Sequence, residues 1–156
     1  MTLFDEWALT LAVFLPLVGM ALVLLIPRGQ ETAVKAVALI TSLVTLGVGV
    51  GILTQFNYGK ARALQFSVNE SWIDVINSRF HLGIDGISLP LLILSMLIVP
   101  LCIIYSWNHF PEPHNPKAFL ALILLLEVGM NGTFVSQDLI LFFVFFEVVL
   151  LPMFFM

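Results

Sequence analysis

The sequence predicts an all-α fold, an integral membrane helical bundle of five transmembrane helices in which the fourth and fifth form a tight antiparallel hairpin. Three observations carry this. Hydrophobic residues make up 60% of the 156 residues and charged residues only 10%, with a mean hydropathy of +1.08, whereas a soluble domain carries charge at roughly a quarter of its positions. Apolar stretches recur at the ~20-residue length that crosses a ~30 Å hydrocarbon core. Two carboxylates, Glu127 and Glu147, sit inside such stretches. The length fits one domain, expected to be a single transmembrane domain over 1–156 with an extramembrane loop at 57–86. In lipid that domain has to be helical, because every backbone polar group needs an internal partner.

The spans are predicted at residues 7–26, 36–56, 87–105, 118–135 and from 139 onward. The first is uncharged and stops at Pro27-Arg28-Gly29; with Asp5 and Glu6 in front of it and no basic n-region, it does not read as a signal peptide. The second carries Gly47 and Gly51 in G-x-x-x-G spacing, which is helix-packing chemistry. Pro16, Pro100 and Pro152 fall inside spans and each strips an N–H from the carbonyl four residues earlier. Residues 57–86 form a long connection mixing charges with Phe66, Trp72, Ile73 and Phe80. A loop of that length is usually folded or functional, and it is expected to pack on the helix ends as short strands or an interfacial turn. The proline-rich run from Asn108 to Pro116 is expected to be non-helical. Ser136-Gln137-Asp138 is nearly no connection, so the helices on either side must lie side by side. There Ser136 suits an N-cap and Asp138 the positive end of the fifth helix dipole.

Several function classes are excluded or weakened. A net charge of −4 without a basic stripe argues against nucleic acid. Cys102 is alone, which rules out a disulfide within the chain and any multi-cysteine cluster, and reads as a small packed hydrophobe. His81, His109 and His114 lack ligand spacing, so no metal site is expected. No nucleotide-, flavin- or haem-binding motif is present. The two sequons, Asn69-Glu70-Ser71 and Asn131-Gly132-Thr133, are at the level of chance. With the N-terminus outside, Arg28, Lys35 and Lys117 fall on the inner side and Lys60, Arg62 and Arg79 on the outer, so the positive-inside rule leaves orientation open.

The acids are the functional candidates. A carboxylate in mid-membrane costs several kcal/mol unless it faces a protein interior, finds a partner or carries a proton. Glu147 lies between Phe142-Phe143-Val144-Phe145-Phe146 and Val148-Val149-Leu150-Leu151. Intramembrane ionisable residues mark proton and cation pathways by default, so Glu147 is assigned to proton transfer and Glu127 to a secondary role in it. Glu127 shares a face with Asn131, which is expected to satisfy it by hydrogen bonding. Each acid lies ten residues from Gln137, about 15 Å at helical rise, so equal depth is expected, with the two faces diverging. No span contains a lysine that would pair with either acid.

These residues carry a resemblance. Ser136-Gln137-Asp138-Leu139-Ile140-Leu141-Phe142-Phe143 leading to Glu147 and then Leu151-Pro152-Met153 resembles the fifth-helix signature of the subunit M (chain 4) family of proton-pumping NADH-quinone oxidoreductase, respiratory complex I. Leu82-Gly83-Ile84-Asp85-Gly86-Ile87-Ser88 is similar to the same family's G-[IV]-D-G-[IL]-S segment, and Tyr105-Ser106-Trp107 also fits. Related antiporter-like subunits share parts of this pattern. The resemblance implies a proton-translocating subunit with its N-terminus on the outer side, in a cell (inner) or organellar membrane. It implies that Glu147 is the carboxylate paired with a lysine from a later broken helix. It further implies no cofactor in this chain, with NADH, FMN, iron-sulfur clusters and quinone held by other subunits of the complex. Family members carry many more spans, so an N-terminal fragment, inactive alone, is expected. A cation/proton antiporter subunit and a structural membrane module in which both acids are merely tolerated remain as alternatives.

Overall fold

The structure is a computed structural model; it describes residues 3–27, 29–60, 62–107 and 116–155, without the side chains of residues 3–6 and Pro116. Arg28, His109, His114 and the proline-rich run up to Asn115 lie outside the described residues. The helices are α1 (Leu3–Leu25), α2 (Glu31–Gln55), α3 (Ser88–Ser106), α4 (Pro116–Val135) and α5 (Leu139–Phe155). Four of them are long and apolar enough to cross a membrane, and α5, at 17 residues, is shorter. The helix α4 lies at the centre and touches α1, α2, α3 and α5.

The long connection takes the short-strand form expected of it, and so departs from a purely all-α fold. It forms a two-stranded antiparallel sheet, β1 (Gln65–Ile73) and β2 (Ser78–Ile84), joined through a 3-10 turn at Asp74–Ile76. The reason is a period of two: Phe80, Leu82 and Ile84 turn inward while Arg79 points out. Asn77 takes the left-handed conformation (φ 53°) at the turn, which asparagine tolerates well. Leu82 and Ile84 are fully buried in one core cluster with Leu9, Val13, Ile52, Leu92 and Phe145. Phe14 stacks on Phe80 at 6.0 Å and meets Phe145 at 6.3 Å, fastening the sheet to α1 and α5.

Small residues decide how the helices meet. Phe145 seats on Gly132, and Val149 on Gly129, where an added Cβ would stand 2.9 Å from the Val149 backbone nitrogen. Gly49 packs under Met96, and Gly19 against Thr41. Gly47, expected at a packing face, is exposed with nothing within 4 Å of its would-be Cβ. The buried stripe of α2 runs through Val34, Ala38, Ser42, Thr45, Gly49 and Ile52, two positions away from Gly47. Cys102 is likewise exposed rather than packed, because the buried stripe of α3 passes through Val99 and Ile103. At the end away from the sheet, Lys35 Nζ lies 5.8 Å from the Trp107 ring, joining the start of α2 to the end of α3.

Two aspartates cap helices. Asp85 Oδ1 accepts the Ile87 and Ser88 amides at 2.9 and 2.8 Å ahead of α3. Asp138, not Ser136, caps α5: its Oδ2 accepts the Ile140 and Leu141 amides at 3.1 and 3.2 Å. Asp138 Oδ2 also accepts the Ser78 hydroxyl at 2.7 Å, and Ser78 Oγ accepts Trp72 Nε1 at 2.9 Å. The Ser78 hydroxyl first, and then the amides of Leu141, Arg79 and Ile140, hold the Asp138 carboxyl below its ordinary 3.8. The Ser88 amide is the largest cause of the same lowering at Asp85.

Gly129→Ala should destabilise the bundle by about 1–3 kcal/mol, the usual cost of overpacking where backbone is the obstacle, while Gly47→Ala should be neutral. Thermal unfolding in detergent micelles checks both, and equal midpoints would overturn this account of the packing. Since both capping carboxyls titrate below their unfolded value, the stability they contribute is full above pH ~3.8 and is lost as pH falls through their lowered values. Amide exchange at Ile140 and Leu141 should therefore accelerate in acid in the native protein, and should be fast already at neutral pH in Asp138→Ala.

Candidate functional site: two acids in the helical bundle

The two sequence-predicted acids have opposite surroundings. Glu127 is wholly buried on α4, and neither of its carboxyl oxygens has a hydrogen-bond partner among the described residues. Glu147 is exposed on the outer face of α5, beside Phe143, Val144, Phe146 and Leu151, which are also exposed. The structure thus turns the two acids to different faces and does not bring them together.

Their depths differ too. Phe145 on Gly132 and Val149 on Gly129 put Glu147 level with Asn131, one turn of α4 away from Glu127, an offset of about 6 Å at helical rise. Symmetry about Gln137 predicted equal depth. The contact is set instead by which α4 positions lack side chains and so admit α5.

Asn131 does not serve Glu127. Its Nδ2 donates to the Ala12 carbonyl at 2.9 Å, and its Oδ1 accepts the Ser95 hydroxyl at 2.6 Å. Asn131 and Ser95 are both buried. The Ala12 carbonyl is available because Pro16, four residues on, has no N–H to give it. The result is a clasp binding α1, α4 and α3 at one level. Sequence reasoning named both Pro16 and Asn131 without joining them, since the link spans 119 positions.

The joint between α4 and α5 is held from outside the bundle. The Gln137 amide donates to the His81 carbonyl at 2.8 Å, and Gln137 Nε2 to the Gly83 carbonyl at 3.2 Å. Ser136 forms a bridge with Leu82. The sheet therefore fixes the start of the helix that carries Glu147. No group of three or more His, Cys, Asp or Glu residues suited to a metal occurs among the described residues.

Comparison with known proteins bears on this arrangement. The family described as "NADH-ubiquinone oxidoreductase chain 4, amino terminus" matches residues 10–133. The chain is 36% identical over 114 residues to F(420)H(2) dehydrogenase subunit M of Methanosarcina mazei, covering 73% of this chain and 22% of the relative. It is 35% identical over 139 residues to NADH-ubiquinone oxidoreductase chain 4 of Arabidopsis thaliana, covering 89% and 28%. In structure it is similar to a chain of respiratory complex I from Thermus thermophilus with bound NADH. That match has a TM-score of 0.74 and 25% identity and covers 92% of this chain and 27% of the other. The chain thus spans about a quarter of the length of the relatives it matches.

Asn131→Leu should cost about 1–2 kcal/mol, because it orphans the buried Ala12 carbonyl and leaves the Ser95 hydroxyl only the Leu92 carbonyl at 3.1 Å. In a Pro16→Ala background, where the substituted residue supplies the missing amide, the same change at Asn131 should cost less. A double-mutant cycle on unfolding in micelles measures the coupling, and additive effects would show that Pro16 and Asn131 act independently.

Proposed function

Because the chain belongs to the NADH-ubiquinone oxidoreductase chain 4 family, we propose that it acts as a proton-translocating membrane subunit of an NADH-quinone oxidoreductase, coupling electron transfer from NADH to quinone to proton pumping. It is a multi-pass membrane protein, with four helices of spanning length and composition. In this reading 1–156 is a single transmembrane domain and 57–86 lies outside the membrane. The helix α5 also spans, as the second arm of an antiparallel hairpin with α4, a geometry supported by the seating of Phe145 on Gly132 and Val149 on Gly129. The partners are other membrane subunits of the complex, the lipid bilayer and protons. NADH, FMN, iron-sulfur clusters and quinone belong to those other subunits, and this chain supplies no redox centre.

One observation carries the site. Glu147 is exposed on an α5 face made otherwise of apolar side chains. A carboxylate on a lipid-depth surface is tolerated when another segment covers it and brings a partner. A lysine from a further helix, as the family resemblance implies, would give Glu147 a charge partner and let the pair exchange a proton. Glu127, buried and away from that face, takes at most a secondary part in transfer.

Glu147→Gln in the full-length subunit should leave assembly intact and reduce NADH-driven proton uptake to near background, while Glu147→Asp, which keeps the charge on a shorter stem, should retain more. Proton uptake into membrane vesicles, normalised to assembled complex, is the measurement. Normal coupling at normal assembly would refute the assignment, and sodium dependence without NADH dependence would place the chain with cation/proton antiporter subunits instead.

A further inference from the structure

Glu127 is left over once Asn131 is committed elsewhere, and its surroundings can be read from the contacts one turn away. Asn131, Ser95 and Ala12 meet at one level. A turn farther from the sheet on α4, α3 and α1 stand Glu127, Pro100 and Pro16, all buried. On α2, Gly49 packs against Met96, so Thr45, one turn earlier on a helix of opposite sense, falls level with Pro100; it too is fully buried. A carboxyl, a hydroxyl and two prolines therefore share one interior layer.

This layer holds acceptors and no cation. The Thr45 hydroxyl donates to the Thr41 carbonyl at 2.9 Å, which leaves its own oxygen free to accept. Pro100 has no N–H, so the Met96 carbonyl, which points along the helix axis into this layer, lacks its usual donor. The charged groups on the helices packed around Glu127 are Glu31 and Lys35 on α2, Lys117 on α4 itself and Glu147 on α5. The helix α3 and the described side chains of α1 carry none. Lys35 is ten residues from Thr45, and Lys117 ten from Glu127, each about 15 Å along the helix axis. An ionised carboxyl with no cation in reach and no hydrogen bond is not sustainable in such a place.

Neither Glu127 oxygen has a hydrogen-bond partner among the described residues, and we propose that this layer is a proton-holding site separate from Glu147, in which Glu127 stands as a neutral carboxylic acid with Thr45 Oγ and the Met96 carbonyl as the acceptors that a turn of its side chain would bring to its O–H. The inference rests on the membrane-spanning reading of the bundle and not on any role for Glu147. The neutral acid needs an acceptor, and the layer offers the Thr45 oxygen and the Met96 carbonyl, whose i+4 amide Pro100 removes. A carboxylate would need donors, and the layer's one hydroxyl, that of Thr45, already donates to the Thr41 carbonyl.

Infrared difference spectroscopy on the full-length protein in native membranes, in H2O and D2O, tests this. Glu127→Gln should remove one deuterium-sensitive carboxylic-acid C=O band, and Glu147→Gln should leave that band in place. Thr45→Val or Pro100→Ala should shift the band by changing its acceptors. Loss of a carboxylate band on Glu127→Gln, or no change in the carboxyl region, overturns the proposal, as does a band unmoved by both acceptor substitutions. Should Glu127→Gln fail to assemble, Glu127→Asp is read the same way: a displaced acid band supports the site and an unchanged one rejects it. Normal pumping in Glu147→Gln would remove the transport assignment while leaving this site standing.

Discussion

The packing of the bundle depends on a carbonyl that its own helix cannot satisfy. Pro16 leaves the Ala12 oxygen without its amide, and in hydrocarbon no water is present to take its place. Asn131 supplies the donor from α4, and its other end takes the Ser95 hydroxyl from α3. A local defect in α1 thereby becomes the point where three helices are brought into register. Apolar contacts alone would hold these helices loosely, because lipid tails compete for the same surfaces. A polar clasp has few alternative arrangements, so it fixes rotation as well as distance. The inward orientation of Glu127 follows, since it lies one turn from Asn131 on the same face.

A second fixed point sits at the sheet. Gln137 donates through both backbone and side chain to carbonyls of β2, and Asp138 ties Ser78 to the first turn of α5. With the joint anchored this way and Gly129 and Gly132 admitting α5 closely, the face that α5 turns outward is determined. Glu147 is exposed for that reason and not because its own neighbours in sequence favour it. The sheet thus acts on the orientation of a residue ten positions beyond the joint, about 15 Å along α5 by helical rise.

Hydropathy made the helices legible, and the matches around Asp85 and Glu147 made the family legible. Short strands were among the forms expected of the long connection, and Phe80, Leu82 and Ile84 carry the alternation that makes one. The cap at Asp138 was available in principle, as an aspartate directly before Leu139-Ile140-Leu141 is a recognised helix start. What the sequence could not show was the partner of Asn131. The nearest answer along one helix was Glu127, yet the bundle offered a hydroxyl 36 positions away and a carbonyl 119 away. Gly47 misled for a related reason: a G-x-x-x-G spacing marks a possible contact line, and the stripe that is used is decided by where α3 lies, which brings Gly49 under Met96 instead.

The contrast between the acids shows how little residue type decides by itself. Both are glutamates in apolar helices, each ten residues from the same glutamine. One is enclosed by the bundle, with no hydrogen-bond partner for its carboxyl among the described residues. The other stands on an outward face, where its state is set by whatever covers it. An enclosed group can hold a proton without an outside partner, whereas an outward group can respond to one, because the arrival or departure of a cation changes its electrostatic energy directly. Transport needs the second kind of group at the moving interface. The first kind costs the bundle little as long as its proton stays, and it becomes costly as soon as the proton leaves. Any motion that brought water or a cation into the Pro16–Pro100 layer would therefore be coupled to the charge on Glu127, and the clasp one turn away is the structure that resists such motion.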